Sequence, residues 1–152
     1  MTIRTLLATC ALSAAVALPV PAVAGPVAAE RPEKAAPACG DFLASLGRKP
    51  AHLEFVHCVP EPDRQGKPLH ATYRVQGTYA AQVEAVLIRS LGLTPLKTSC
   101  CQWDAPPTHY KAPDGREFMI VMASVETPIQ RRSAWHKIPH FDVSVRLLTE
   151  DI

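Results

Sequence analysis

Apolar and polar positions follow two regular periods along this chain, and together they predict most of its elements. Phe141, Val143, Val145 and Leu147 alternate with Asp142, Ser144 and Arg146, the pattern of a strand with one wet face. Leu69 to Gln76 alternates in the same way, Ala71, Tyr73 and Val75 opposing Thr72, Arg74 and Gln76. Leu53 to Val59 reads as a further strand, and Phe118 to Val125 is apolar enough for a central strand covered on both faces. Helical spacing appears twice. Cys39, Phe42, Leu43 and Leu46 share one side of a short helix, with Asp41 in its first turn and Gly47 as a stop. Ala80, Val83, Leu87 and Leu91 form the stripe of a longer helix, widened by Val86, with Thr78 as the expected N-cap and Gly92 closing it. Glu84 stands at the margin of that stripe.

Leu96 to Trp103 is read as one strand carrying Cys100 and Cys101. Pro106-Pro107 and Pro113-Asp114-Gly115 bracket a turn-rich loop, and Thr127 to Pro139 is irregular. The order is helix, two strands, helix, three strands. It predicts an α+β domain with an antiparallel-rich sheet of about five strands, two helices packed on one face and disulfide staples.

The N-terminus changes the picture by giving an address. Arg4 precedes an apolar stretch from Leu6 to Val20, and Ala22-Val23-Ala24 forms a small-x-small cleavage site before Gly25. Residues 1–24 are read as a secretory signal peptide, since the apolar run falls short of the roughly 20 residues that span a bilayer. Cys10 invites a lipoprotein reading, opposed by the bulk of Thr9 and the short run before it. Cleavage leaves 152 − 24 = 128 residues, the size of one domain. Residues 25–36 read as a flexible leader and 37–152 as one globular unit, with no membrane span once the signal is removed. Without Arg4, 15 basic residues face 14 acidic ones. A net charge of +1 gives no field that favours nucleic acid or anionic membrane.

Four cysteines remain in the exported chain: Cys39, Cys58, Cys100 and Cys101. An even number in an oxidising compartment implies disulfides. Adjacent Cα atoms lie about 3.8 Å apart, below the roughly 4.4–6.8 Å that ordinary disulfides span. Mid-strand, neighbouring thiols also point to opposite faces. The preferred pairing joins Cys39 to one member of the pair and Cys58 to the other. The alternative is Cys39–Cys58 with a reactive vicinal dithiol.

Motifs for catalysis are sparse. The chain has no Gly-x-Ser-x-Gly and no His-Glu-x-x-His, and Glu84, Asp104 and Glu117 are scattered, with a solvated role expected for each. His52 and His57 have an odd strand spacing and point apart. His136 and His140 have helical metal-pair spacing, but Pro139 between them opposes a regular helix. No metal or cofactor is expected. The best binding candidate is the loop containing Arg131, Arg132, Trp135, His136 and Lys137, because Trp and Arg dominate binding hot spots. The competing reading packs Trp135 against the sheet.

Several spacings are distinctive: Cys39-x-Asp41-Phe42-Leu43, Leu46-Gly47-x-Lys49-Pro50 and Leu53-x-Phe55-x-x-Cys58. They continue with Tyr73-x-Val75-x-Gly77-x-x-Ala80-x-x-Val83-Glu84 and end at Cys100-Cys101-x-Trp103. Together they resemble a small family of exported bacterial proteins known only as a domain of unknown function. The resemblance implies export and disulfides and carries no catalytic residue. The functional expectation is a periplasmic or secreted, non-enzymatic binding module for another macromolecule, of immunity or inhibitor type, with a protein partner in the cell envelope and no nucleic acid. Two alternatives stand beside it. One is an envelope hydrolase or thiol oxidoreductase using Cys100/Cys101 or a histidine. The other is a structural accessory domain of an envelope complex.

Overall fold

The computed structural model describes residues 37–150, so the signal peptide expected at 1–24 and the leader at 25–36 lie outside the described residues. Within them the elements run α1 (Phe42–Ser45), β1 (Glu54–Pro60), β2 (Leu69–Gln76), α2 (Gly77–Leu91), β3 (Lys97–Ser99), β4 (Gln102–Asp104), β5 (Thr108–Lys111), β6 (Glu117–Ser124), a 3-10 helix (Arg132–Lys137) and β7 (His140–Leu147). Strands β1, β2, β7, β6 and β5 form, in that spatial order, one antiparallel sheet, and β3 and β4 form a separate hairpin. This is the α+β architecture that the hydrophobic pattern predicts.

One face of the sheet makes the core. Ala71, Tyr73 and Val75 on β2, Phe118, Ile120 and Met122 on β6, and Phe141, Val143, Val145 and Leu147 on β7 are all buried. Helix α2 lays Ala80, Val83, Leu87 and Leu91 over them. Strand β6 alternates rather than being covered on both faces: Met119, Val121 and Ala123 are only half-buried. Helix α1 is a single turn, and Cys39 precedes it. Asp41 is its N-cap and accepts from Ala44 N–H at 3.0 Å. Burial opposes the charge on Asp41, but hydrogen bonds from Lys49 and Ala44 outweigh it and hold its pKa below the usual carboxylate value. Leu43 N–H donates to the Tyr73 hydroxyl at 3.1 Å, which ties α1 to the core. Burial pushes the Tyr73 phenol well above its ordinary pKa.

Helix α2 begins two residues earlier than its capping pattern suggests. Its N-cap is Gln76, with no side-chain cap, and Thr78 lies inside the helix. The reason is that α2 follows β2 without a linker, and Gly77 fits against the 3-10 helix. A Cβ there would meet the Ile138 and Trp135 carbonyl oxygens at 2.1 and 2.2 Å. Only glycine allows that approach.

The expected single strand Leu96–Trp103 is instead the β3–β4 hairpin. Ser99 pairs with Gln102, so Cys100 and Cys101 are its two turn residues, and Cys100 has φ +50°. The bracketed loop that follows contains β5, which pairs with β6 from Thr108↔Ile120 to Lys111↔Glu117. The irregular stretch after Thr127 contains the six-residue 3-10 helix, which ends before Pro139.

Candidate functional site

The cysteines show the largest departure from expectation. Cys39 is bonded to Cys58, with Cα atoms 5.5 Å apart, while Cys100 and Cys101 are free and exposed. The two-bridge pairing rested on opposite-facing strand neighbours. A hairpin turn removes that alternation, and both thiols sit at the tip. Cys58 points to the core face of β1, beside Ala71 on β2, so the disulfide fixes the outer strand to the segment before α1.

The vicinal thiols line a shallow cleft of about 350 Å³ with Glu126, Thr127 and Pro128. Thr127 N–H donates to the Cys101 carbonyl at 2.7 Å, and Trp103 N–H donates to Ser124 Oγ at 2.9 Å. Trp103 Nε1 donates to the Ile129 carbonyl at 2.7 Å. Strand β4 and the turn backbone are therefore anchored while the two thiols are exposed. The Cys101 pKa is raised, first by a hydrogen bond with the Cys100 sulfur and by the charge there, with smaller effects of desolvation and Glu126.

The expected binding loop is divided by the fold. Trp135 is 2% exposed and packs edge-on to Trp103 at 5.1 Å and against Phe141 at 4.9 Å. It is a core residue, because the 3-10 helix turns its ring inward onto the sheet. Arg132 is also committed. It bridges Glu84 through both terminal nitrogens, donates to the Leu96 carbonyl, and stacks over Trp135 at 4.6 Å. Glu84 is 3% exposed, so the solvated role expected for it is overturned; Leu96 N–H supplies its third hydrogen bond at 2.8 Å. Arg131, His136 and Lys137 remain on the surface. His136 and His140 fall in different elements, separated by Pro139. His52 lies outside β1 with φ +65° and stacks on Tyr79 at 3.9 Å.

The open face of the sheet holds a constellation that sequence reasoning missed. Val59, His70, Arg146 and Met119 make one cross-strand row, and His57, Thr72, Ser144 and Val121 the next. Ser144 Oγ lies 2.7 Å from His70 Nε2, and His70 Nδ1 lies 3.1 Å from Glu61 Oε1. The carboxylate can only accept, so Nδ1 carries a proton, and in the neutral ring Nε2 then accepts from the serine. Arg146 Nε donates to Glu61 Oε2 at 3.2 Å. Burial opposes the charge on Glu61, yet hydrogen bonds with His70 and Arg146 outweigh it and keep its pKa below the usual value. This is a serine–imidazole–carboxylate relay. Strand β7 lies between β2 and β6, so its backbone amides are committed to ladders on both sides and supply no oxyanion hole beside Ser144.

The exposed large apolar side chains are concentrated elsewhere. Among the described residues these are Phe55, Val56, Val59 and Tyr79, at 36, 48, 43 and 36% exposure. Three are on β1, and Tyr79 stacks on His52, two residues before that strand begins. Strand β1 is an edge of the sheet, seven residues long, with Glu54 its one charged residue and a bulge at Val56. The opposite edge, β5, has four residues, ends on Lys111 and lies between Pro106-Pro107 and Pro113. Short length, lysine, proline and bulges are the usual protections of an edge; β1 lacks the first two and keeps its bulge and the terminal Pro60.

No match was found among curated proteins or among solved structures. A family model does match, over residues 28–103, which includes every element from α1 through β3 and the start of β4. Because that match spans half of the 152 residues, the chain belongs to the family described as domain of unknown function DUF4952.

Proposed function

We propose that this chain is an exported, non-enzymatic module that binds a protein partner by taking an extended segment of it alongside β1. The carrying observation is the concentration of exposed apolar side chains on an edge strand without lysine. Strand addition uses the free backbone groups of such an edge for affinity and alternate side chains for selectivity. The Cys39–Cys58 link would keep the strand in place before the partner arrives, which lowers the ordering cost of binding. That disulfide is compatible with an extracellular protein, and no helix among the described residues is long and apolar enough to cross a membrane.

A photo-crosslinking residue at Val56 in producing cells tests the proposal. It should give one discrete protein adduct that disappears when Val59→Lys is added, while the same residue at Lys111 gives none. Val59 is exposed, so the melting temperature should not change. No adduct at Val56, or equal adducts from both edges, would refute strand addition at β1.

A hydrolytic reading has one observation in its favour, the Ser144–His70–Glu61 relay. Labelling of Ser144 by a fluorophosphonate, abolished by His70→Ala, would support it. An unlabelled serine would dismiss it.

A further inference from the structure

We propose that Cys100 and Cys101 form a redox-active dithiol that exchanges with disulfides of small thiols or cysteine-containing peptides, one thiol attacking and its neighbour resolving. The two free thiols occupy both positions of a two-residue turn, exposed beside an open cleft. A cleft of about 350 Å³ has room for a peptide cysteine or part of a glutathione molecule.

In the first step the thiolate of one member of the pair attacks one sulfur of the incoming disulfide. A mixed disulfide forms and the other substrate sulfur leaves as a thiolate. In the second step the neighbouring thiol loses its proton to that thiolate and attacks the protein sulfur of the mixed disulfide, releasing the remaining half of the substrate as a thiolate that takes a proton from water. The dithiol is oxidised by two electrons, and the substrate disulfide is reduced to two thiols.

Covalent geometry makes the product reversible. Neighbouring Cα atoms about 3.8 Å apart lie below the ordinary disulfide range, so a Cys100–Cys101 bond is strained and exposed, the class that is easily reduced again. Cys39–Cys58, with Cα atoms 5.5 Å apart and Cys58 packed against the core, falls in the ordinary structural range. One chain would thus hold a permanent link and a labile one.

The test uses the purified chain, the pair first reduced under conditions that leave Cys39–Cys58 intact, then titrated with glutathione disulfide and quenched by alkylation. Trypsin releases both thiols in one peptide, from Thr98 to Lys111. In the unmodified protein that peptide should lose two hydrogens, carry no glutathione, and recover them when reduced glutathione is added. Cys101→Ser should retain glutathione on Cys100. Cys100→Ser should likewise retain glutathione, on Cys101. The proposal is overturned if the unmodified pair accumulates stable glutathione adducts. It is also overturned if oxidation links either thiol to Cys39 or Cys58. The measurement on the unmodified protein decides the matter even if a variant folds poorly.

Discussion

Replacing Arg132 by alanine should destabilise the fold more than replacing Glu84, although the two residues form one ion pair. Glu84 has a side chain only 4% exposed and accepts three hydrogen bonds, two from Arg132 and one from Leu96 N–H. In Glu84→Ala the buried Leu96 amide loses its acceptor, at a cost of about 1–3 kcal/mol. The freed guanidinium is 44% exposed and can turn to water, which limits the total to about 2–4 kcal/mol. In Arg132→Ala the carboxylate stays buried with a single donor, a situation that costs about 3–5 kcal/mol. Loss of stacking on Trp135 and Trp103, at 4.6 and 5.5 Å, adds to that figure. The double variant should fall well short of the sum, with a coupling of about 2 kcal/mol. Urea denaturation followed by tryptophan fluorescence measures all four proteins. Strict additivity, or an Arg132→Ala loss below about 1 kcal/mol, would refute the description of this pair as a buried latch.

Other substitutions probe separate parts of the structure. Trp135→Phe should cost less than Trp103→Phe in thermal denaturation, because the buried Trp135 Nε1 has no hydrogen-bond partner among the described residues while Trp103 Nε1 donates to the Ile129 carbonyl. Trp135→Ala should cost about 3–5 kcal/mol. Gly77→Ala should lower stability by more than about 3 kcal/mol, since its methyl would press on two backbone carbonyls with no flexible side chain to yield; a melting temperature within a few degrees of the parent would contradict this. The depressed pKa of Glu61 adds stability above its unfolded value near 4.5, and that stability is lost as pH falls through the lower folded value. The gap between the parent and Glu61→Gln in urea should therefore narrow from about pH 5 to about pH 3. A gap that is constant across that range would exclude the carboxylate's charge as its source.

The parts of the fold legible in the sequence are those where burial imposes a period. Strands β2 and β7 and helix α2 each set one apolar face against the core, so their spacing reveals them. The β3–β4 hairpin was hidden because its turn has cysteines where glycine or asparagine normally marks a positive φ. Prolines on both sides of β5 disguised a four-residue strand as loop. The site residues were harder to read because their meaning depends on distant partners. Glu84 and Arg132 are 48 positions apart, and Ser144 and His70 are 74 apart, so no local spacing announces either contact. Trp135 illustrates the same limit, since a tryptophan among cations has one composition whether it faces a partner or the interior. The exposed edge could have been suspected from β1 itself, where Phe55, Val56 and Val59 occur with no lysine among them.

The unequal rims of the sheet limit how far it can grow. Whatever joins at β1, the far side at β5 is too short and too crowded by prolines to accept a second addition. Association through this sheet would stop after one step, either as a heterodimer or as a two-fold pair with β1 against its own copy. A molecule with two receptive rims could polymerise indefinitely; strand addition at β1 alone would terminate itself.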